Sequence, residues 1–300
     1  MEGLPAWDAV AARLGAGLGE PVRSVGALGR PRPGRALWAA EADGLGALVV
    51  KARRGNLADV GTRWCAACLP LLGARGYPVP EIVWHGFLDL EWYLAVQRRL
   101  PGEPLRSLEP PLLERLLELV ELQADAAVDA AERDFAAYQS HVLFDGWDHV
   151  WRDAETASLE ARRLCVRLRR WLRPVWGHRL EAQDFAHNDL NLTNVLVEGG
   201  TITGVVDWDA GGLNSRAVDL TALAFDCVLL EDGEAADDLA KRIVALAGED
   251  GLRCLVAYRL VSHVASRARR GDPSGAQESL AAAERFLDLL DARLRPGQRR

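Results

Sequence analysis

Lysine is almost missing from this chain of 300 residues: only Lys51 and Lys241 occur, so 34 of the 36 basic residues are arginine. That bias makes each surviving lysine a candidate for work that a planar guanidinium does badly. Cysteine is scarce too, and the five present (Cys65, Cys68, Cys165, Cys227, Cys254) are odd in number and scattered through apolar segments. This excludes a disulfide framework and predicts reduced, buried thiols. Cys65-Ala-Ala-Cys68 has redox or zinc spacing, but no second Cys/His pair follows at finger spacing, which leaves it as part of a helix face. No stretch approaches the roughly 18 uncharged apolar residues that a membrane span needs. Met1, Glu2 and Asp8 open the chain without a basic segment leading into an apolar one. The expectation is a cytoplasmic protein with no membrane partner.

At 49% hydrophobic and 26% charged residues, the composition excludes disorder, collagen-like repeats and coiled-coil arrays. The formal net charge of −7 is unevenly spread. Through Leu105 there are 12 basic and 10 acidic side chains, and beyond it 24 and 33. An acidic second part disfavours nucleic acid and favours a cationic partner.

Residues 4–14 have helical periodicity. Apolar runs at 22–28, 37–42 and 45–52 follow, the last two separated by the turn dipeptide Asp43-Gly44. Helical spacing returns over 57–75 and stops at Gly76, with Pro78 and Pro80 beyond. Two further strands are predicted at 82–87 and 92–96. The segment 97–104, Gln-Arg-Arg-Leu-Pro-Gly-Glu-Pro, breaks the pattern. From there the chain reads as helical, with candidates at 112–131, 154–172, 235–246, 252–269 and 276–294. The expected organisation is a small antiparallel sheet with one inserted helix over 1–96, a linker at 97–104 and a helical part over 105–300.

The helical part has one interruption, residues 185–209. Val195 to Val197 and Ile202 to Val206 are short apolar runs around Glu198-Gly199-Gly200-Thr201, a hairpin. Antiparallel pairing sets the first residue of one strand beside the last residues of the other, so Asn194 and Asp207 should meet at the open end. The loop carrying Asp189 leads into that end. Two carboxylates and an amide oxygen are hard ligands that suit Mg²⁺ with phosphate rather than zinc. Phosphoryl transfer needs metal ligands for the phosphate charge and a separate carboxylate for the attacking hydroxyl.

The spacing His187-x-Asp189-x4-Asn194 followed by Asp207 resembles the catalytic loop and metal-binding aspartate of the aminoglycoside phosphotransferase and choline kinase group of small-molecule kinases. Trp208-Asp209 and Ala217-Val-Asp219-Leu also resemble that group's pattern. The resemblance implies an α+β, bilobal protein-kinase-like fold, with a small antiparallel-sheet N-lobe and a large, mainly helical C-lobe. It makes Asp189 the catalytic base, Asn194 and Asp207 the magnesium ligands, His187 a support for the loop and Asp219 a structural acceptor tying loop to helix. Residues 1–96 become a nucleotide-binding lobe, 97–104 a hinge, and 105–300 the lobe of the acceptor site.

Lys51 ends the run Leu48-Val49-Val50, where kinase-like folds place a lysine on ATP phosphates. The preceding loop, with Gly26, Gly29, Arg30-Pro31-Arg32-Pro33 and Gly34, could cover phosphates with backbone amides, although its spacing is no clean Gly-x-Gly-x-x-Gly. Gln97 and Arg99 lie where the hinge would offer backbone groups to the purine, ATP by default and GTP as the alternative. One departure from the group is visible. The usual glutamate on the following helix is absent, and Asp59 is the only acidic residue between Lys51 and Glu81.

Acidic residues interleaved with tryptophan, Asp145, Asp148, Asp153 and Glu155 beside Trp147 and Trp151, could hold ammonium or guanidinium groups. A second cluster comprises Asp226, Glu231, Asp232, Glu234, Asp237 and Asp238. The expected function is ATP-dependent phosphorylation of a hydroxyl on a small cationic antibiotic, an aminoglycoside or a basic peptide of tuberactinomycin type, conferring resistance. The alternatives are a metabolite kinase acting on choline, a sugar or homoserine, and a non-catalytic nucleotide-binding module. The chain is expected to act as a monomer or homodimer.

Overall fold

The computed structural model describes residues 4–29, 34–55, 58–126, 133–145, 148–271 and 273–294. In chain order the elements are α1 (Trp7–Leu18), β1 (Val22–Ala27), β2 (Arg35–Ala42), β3 (Gly46–Arg54), α2 (Ala58–Ala74), β4 (Ile82–Phe87), β5 (Trp92–Arg98) and β6 (Glu103–Pro104). There follow α3 (Pro110–Glu121), α4 (Phe135–Phe144), α5 (Asp148–Glu155), α6 (Leu159–Leu172), β7 (Asp184–Ala186), β8 (Val195–Glu198), β9 (Thr201–Val205) and β10 (Gly212–Asn214). The chain closes with α7 (Ala217–Leu229), α8 (Gly233–Arg270) and α9 (Pro273–Arg293).

The chain forms two compact units, Met1–Pro104 with Asn194–Ala210, and Leu105–Thr193 with Gly211–Arg300. The first is built on an antiparallel five-stranded sheet of order β1-β2-β3-β5-β4. Strand alternation gives its faces different chemistry. Leu48, Val50 and Ala52 of β3 and Trp92, Leu94 and Val96 of β5 turn to one side and bury against Val10 and Leu14 of α1. Each fully buried aliphatic side chain of this kind contributes about 1.5–3 kcal/mol. Gly19 stops α1 in the left-handed conformation at φ 77°, its N–H returning to the carbonyl of Gly15.

The opposite face takes the alternate residues, Lys51 and Arg53 among them. The β2–β3 connection is one residue longer than the Asp-Gly turn expected. Ala42 pairs with Gly46, and Gly46 takes φ 74°, the left-handed residue that closes a three-residue loop. Hairpin β8–β9 does have a two-residue turn, Gly199-Gly200, both with positive φ, and it pairs Val195 with Val205. It groups with the first unit because Glu103 and Pro104 of β6 pair with Val197 and Leu196, and Val205 donates to the carbonyl of Pro78 at 2.8 Å.

In the second unit helical patterning is correct and some boundaries move. The run expected over 154–172 is two helices, because Ser158 caps α6 by accepting from the Ala161 N–H at 3.1 Å. The run 112–131 ends as α3 at Glu121, and its last residues lie outside those described, as do Leu57, Trp147 and 30–33 of the glycine-bearing loop. Gly248, at φ 72°, kinks α8 between the two helices read there. All five cysteines are buried and free, and burial pushes the Cys68 thiol up to about 11. No described helix is long and apolar enough to cross a membrane.

Candidate active site

Register brings the charged side chains of the first unit together. Arg35 on β2 lies directly opposite Arg53 on β3, and Leu37 opposite Lys51. Lys51 and Arg53 therefore share a sheet face, with Arg35 across from the latter. Like charges placed opposite one another destabilise a sheet unless an anion separates them. Two aspartates from the segment after β9 do so.

Lys51 Nζ donates to Asp207 Oδ1 at 3.1 Å and to Asp209 Oδ1 at 3.4 Å. Arg35 Nη2 reaches both oxygens of Asp207, at 2.8 and 3.0 Å, and Asp209 Oδ2 at 2.9 Å. Arg53 pairs with Asp209. The Lys51 side chain is 9% exposed, against 33% for Asp207 and 35% for Arg35. Burial pushes the Lys51 pKa down, and Arg53 and Arg35 add to that against the pull of Asp207. Burial also opposes ionisation of Asp207, but the Lys51 and Arg35 charges outweigh it and hold the carboxyl well below the usual carboxylate range.

Lys51 thus pairs with Asp207 and Asp209 rather than with an acidic residue of α2. Asp59 turns instead to Arg63, one helical turn on, at 2.9 Å. On the side of α2 nearest Lys51, Thr62 and Cys65 line a cavity of about 30 Å³ together with Lys51, Arg53, Gln97 and Asp209. That is room for water rather than a purine. The aspartate segment is anchored in its own unit. Trp208 donates its indole N–H to the carbonyl of Val205 at 2.8 Å and packs edge-on against Tyr77, while Cys65 Sγ donates to the Trp208 carbonyl at 3.2 Å. Asp207 takes φ 63°, a left-handed conformation whose cost is typical of functional positions.

Asn194, immediately before β8, accepts from the Val206 N–H at 2.8 Å through its carbonyl. With Val195 paired to Val205, Asn194 and Asp207 flank the hairpin's open end, and both are hard oxygen donors. Among the described residues no cluster of three or more His, Cys, Asp or Glu side chains could hold a metal. The donor set at the hairpin end, the Asp207 carboxylate and the Asn194 amide oxygen, is of the kind magnesium accepts beside phosphate and water.

Gly26, at φ 153°, marks a bulge in β1, and Gly29 takes φ 75° just beyond that strand. Gln97 is buried, and its side chain lines the cavity near Lys51. Arg99 is exposed, and its N–H is spent on the carbonyl of Ala47 at 3.0 Å.

Asp189 belongs to the second unit, in a loop stapled at both ends to α7. Asp219 and Asp226 lie seven residues apart, two turns on one helix face. Asp219, fully buried, accepts from the N–H groups of His187 and Asn188, both at 2.8 Å, and from Gln123 Nε2 at 2.9 Å. Asp226 accepts from the Leu192 N–H at 2.8 Å. Burial raises the pKa of both carboxyls, against the pull of the groups that bond to them. His187 is 0% exposed and accepts from the Asp189 N–H through Nδ1 at 3.3 Å, a loop-supporting role. The Asp189 side chain is 47% exposed and takes a hydrogen bond from Arg259 of α8 at 2.8 Å.

Arg259, Gln123 and Arg35 were not legible as functional residues in the sequence, and Asp226 was read there only as part of an acidic cluster, not as a support for the Asp189 loop. The available signals were the seven-residue spacing of the two aspartates and the alternation that sets Arg35 on the Lys51 face. Several carboxylates of the acidic clusters are paired within the fold. Asp153 pairs with Arg269 at 2.8 Å, Glu155 with Arg169, and Asp237 with Lys241 at 3.0 Å, while Asp232 caps α8. Trp151, whose face was a candidate for an ammonium group, already carries the Arg169 guanidinium 4.7 Å from its ring centre.

An antiparallel sheet bearing a buried lysine, followed by a helical part that fixes an aspartate loop, defines the kinase-like class of small-molecule phosphotransferases with a hydroxyl acceptor. A family model described as a phosphotransferase enzyme family matches residues 35–254, and the chain belongs to that family. No curated protein matches by sequence. Among solved structures, the chain is similar to the aminoglycoside phosphotransferase APH(4)-Ia, in a thermostable mutant bound to ADP and hygromycin B. The TM-score is 0.68 at 16% identity, covering 94% of this chain and 98% of that one. It is also similar to an aminoglycoside 2′-phosphotransferase of type IIIa in its GDP complex (TM-score 0.59, 17% identity, 89% and 91% covered). An aminoglycoside 3′-phosphotransferase of type VIII gives a TM-score of 0.56 at 22% identity, with 84% and 98% covered.

Proposed function

We propose that this protein transfers the γ-phosphate of a nucleoside triphosphate, ATP by default and GTP as the alternative, to a hydroxyl of a small molecule. The observation that carries this is the buried Lys51 paired with Asp207 at 3.1 Å on an otherwise lysine-poor scaffold. Residues 1–96 are the nucleotide-binding part, 97–104 the hinge and 105–300 the part that binds the acceptor. Lys51 binds phosphate oxygens. Gly26 and Gly29 belong to the loop that covers the phosphates, and Gln97 and Arg99 to the segment beside the base. Asn194 and Asp207 would hold Mg²⁺, which supplies charge neutralisation on the phosphates. Asp189 orients the acceptor hydroxyl and takes its proton. The buried bonds from Asp219, Asp226 and His187 fix the loop, so that Asp189 is oriented before the substrate arrives.

For the acceptor we propose a cationic antibiotic of the aminoglycoside or basic-peptide type, phosphorylated in the cytoplasm to give resistance. Hygromycin B bound to one structural relative supports the class. The internal pairing of Asp153, Glu155 and Asp237, and the Arg259 guanidinium on Asp189, favour a second reading, a less charged metabolite alcohol. A nucleotide-consumption assay over aminoglycosides, basic cyclic peptides, choline, sugars and homoserine separates the two. Turnover with none of them, despite tight Mg-nucleotide binding, would refute catalysis and leave a binding module.

A further inference from the structure

Three cations share two carboxylates in the first unit, and they are not equivalent. Lys51 sits in mid-strand with neighbours on both sides and is 9% exposed. Arg35 is the first residue of β2, directly after the glycine-bearing loop, and is 35% exposed. Yet Arg35 makes the more extensive contact with Asp207, engaging both carboxylate oxygens. These are the oxygens that a metal ion on Asp207 would need. Arg35 also faces Arg53 in the strand register, so its guanidinium requires an anion whether or not nucleotide is present. Three cations and two aspartates leave the cluster with one surplus positive charge, suited to an arriving anion.

We propose that Arg35 is a nucleotide-phosphate ligand held in reserve on the metal-binding carboxylate. Without nucleotide it neutralises Asp207. On binding of the metal–nucleotide it passes to a phosphate oxygen and leaves Asp207 to the metal. Its planar fork matches two phosphate oxygens as well as it matches two carboxylate oxygens. Lys51 and Arg53 keep Asp209 between them, and the one positive charge left over faces the phosphates that Lys51 also binds. This rests on reading the site as a metal–nucleotide site.

The exchange makes two opposite demands on one side chain, readable without turnover. In Arg35→Gln, MgADP affinity measured by fluorescent-nucleotide titration should fall about 10- to 100-fold, the loss of one charge-assisted contact. Mn²⁺ binding to the nucleotide-free protein, followed by electron paramagnetic resonance, should tighten about tenfold because Asp207 has lost a competitor. Circular dichroism checks the fold. Should Arg35→Gln not fold, Arg35→Lys, which keeps the charge and loses the fork, should shift both affinities in the same directions by about three- to tenfold. A folded variant in which either affinity stays at the wild-type value overturns the exchange. Wild-type protein that binds no MgADP overturns the nucleotide site itself, and the exchange with it.

Discussion

Asp209→Ala removes one of the two carboxylates that pair with Lys51. Asp209 lies 3.4 Å from Lys51 Nζ and 2.9 Å from Arg35, and it also holds Arg53. At an effective dielectric constant of about 20, the Lys51 contact alone is worth roughly 5 kcal/mol of Coulomb attraction. Desolvation of both groups offsets part of that, and breaking a buried pair by removing one partner typically costs about 3–5 kcal/mol. Asp207 still neutralises Lys51, and Asp209 is 25% exposed, so the expected loss is about 2–3 kcal/mol. For a protein of this size that lowers the thermal midpoint by about 3–5 °C. Differential scanning fluorimetry at fixed salt reads it. The control is Asp43→Ala, which removes an exposed partner of Arg23 and should leave the midpoint unchanged. If the two variants melt together, Asp209 is not the counter-charge of the lysine.

Three other expectations can be checked. Asp189→Ala should reduce phosphate transfer about 10²- to 10⁴-fold while nucleotide affinity stays within about twofold, because the base acts in the transition state. Parallel turnover and nucleotide titration test this, and near-native turnover would remove Asp189 from its role. Arg259→Met should destabilise the fold by about 1–3 kcal/mol in chemical denaturation, because the buried Asp226 carboxylate loses its nearby cation while the half-exposed Asp189 is screened by solvent, and an unchanged midpoint would refute this. His263 bonds Ser279 at 3.0 Å, and burial pushes it from 6.5 down to about 3. The unfolded chain therefore binds the extra proton first, and the stability contributed by neutral His263 is present above pH 6.5 and lost as pH falls towards about 3. His263→Gln should flatten the stability–pH curve in that window, and an unchanged slope would exclude His263 as its source.

What the sequence made legible followed from local rules. Period-two and helical patterns, with Gly and Pro as stops, located the sheet, the inserted helix and the β8–β9 hairpin. Antiparallel pairing alone brought Asn194 to Asp207. Lys51 stood out by its rarity. What escaped depended on side-chain partners distant in the chain. Arg35 and Asp209 become a pair only after the 173 positions between them fold back. Arg259 contacts Asp189 from a helix whose pattern looks like any other amphipathic surface. In the acidic clusters, composition shows a surplus of carboxylates but not the cations that pair with some of them, such as Arg269 on Asp153 and Lys241 on Asp237. Likewise Ser158 divides one apparent helix into two through a hydrogen bond that periodicity does not register.

The central claim is that Asp207, with Asn194 and Lys51, binds a metal–nucleotide. Isothermal titration of a non-hydrolysable ATP analogue into wild-type protein and Asp207→Ala, with Mg²⁺ and with chelator, tests it most directly. Saturable binding at roughly micromolar to millimolar concentrations, dependent on Mg²⁺ in the wild type and lost in the variant, is the predicted result. Equal binding by both proteins, or binding indifferent to the metal, would contradict it.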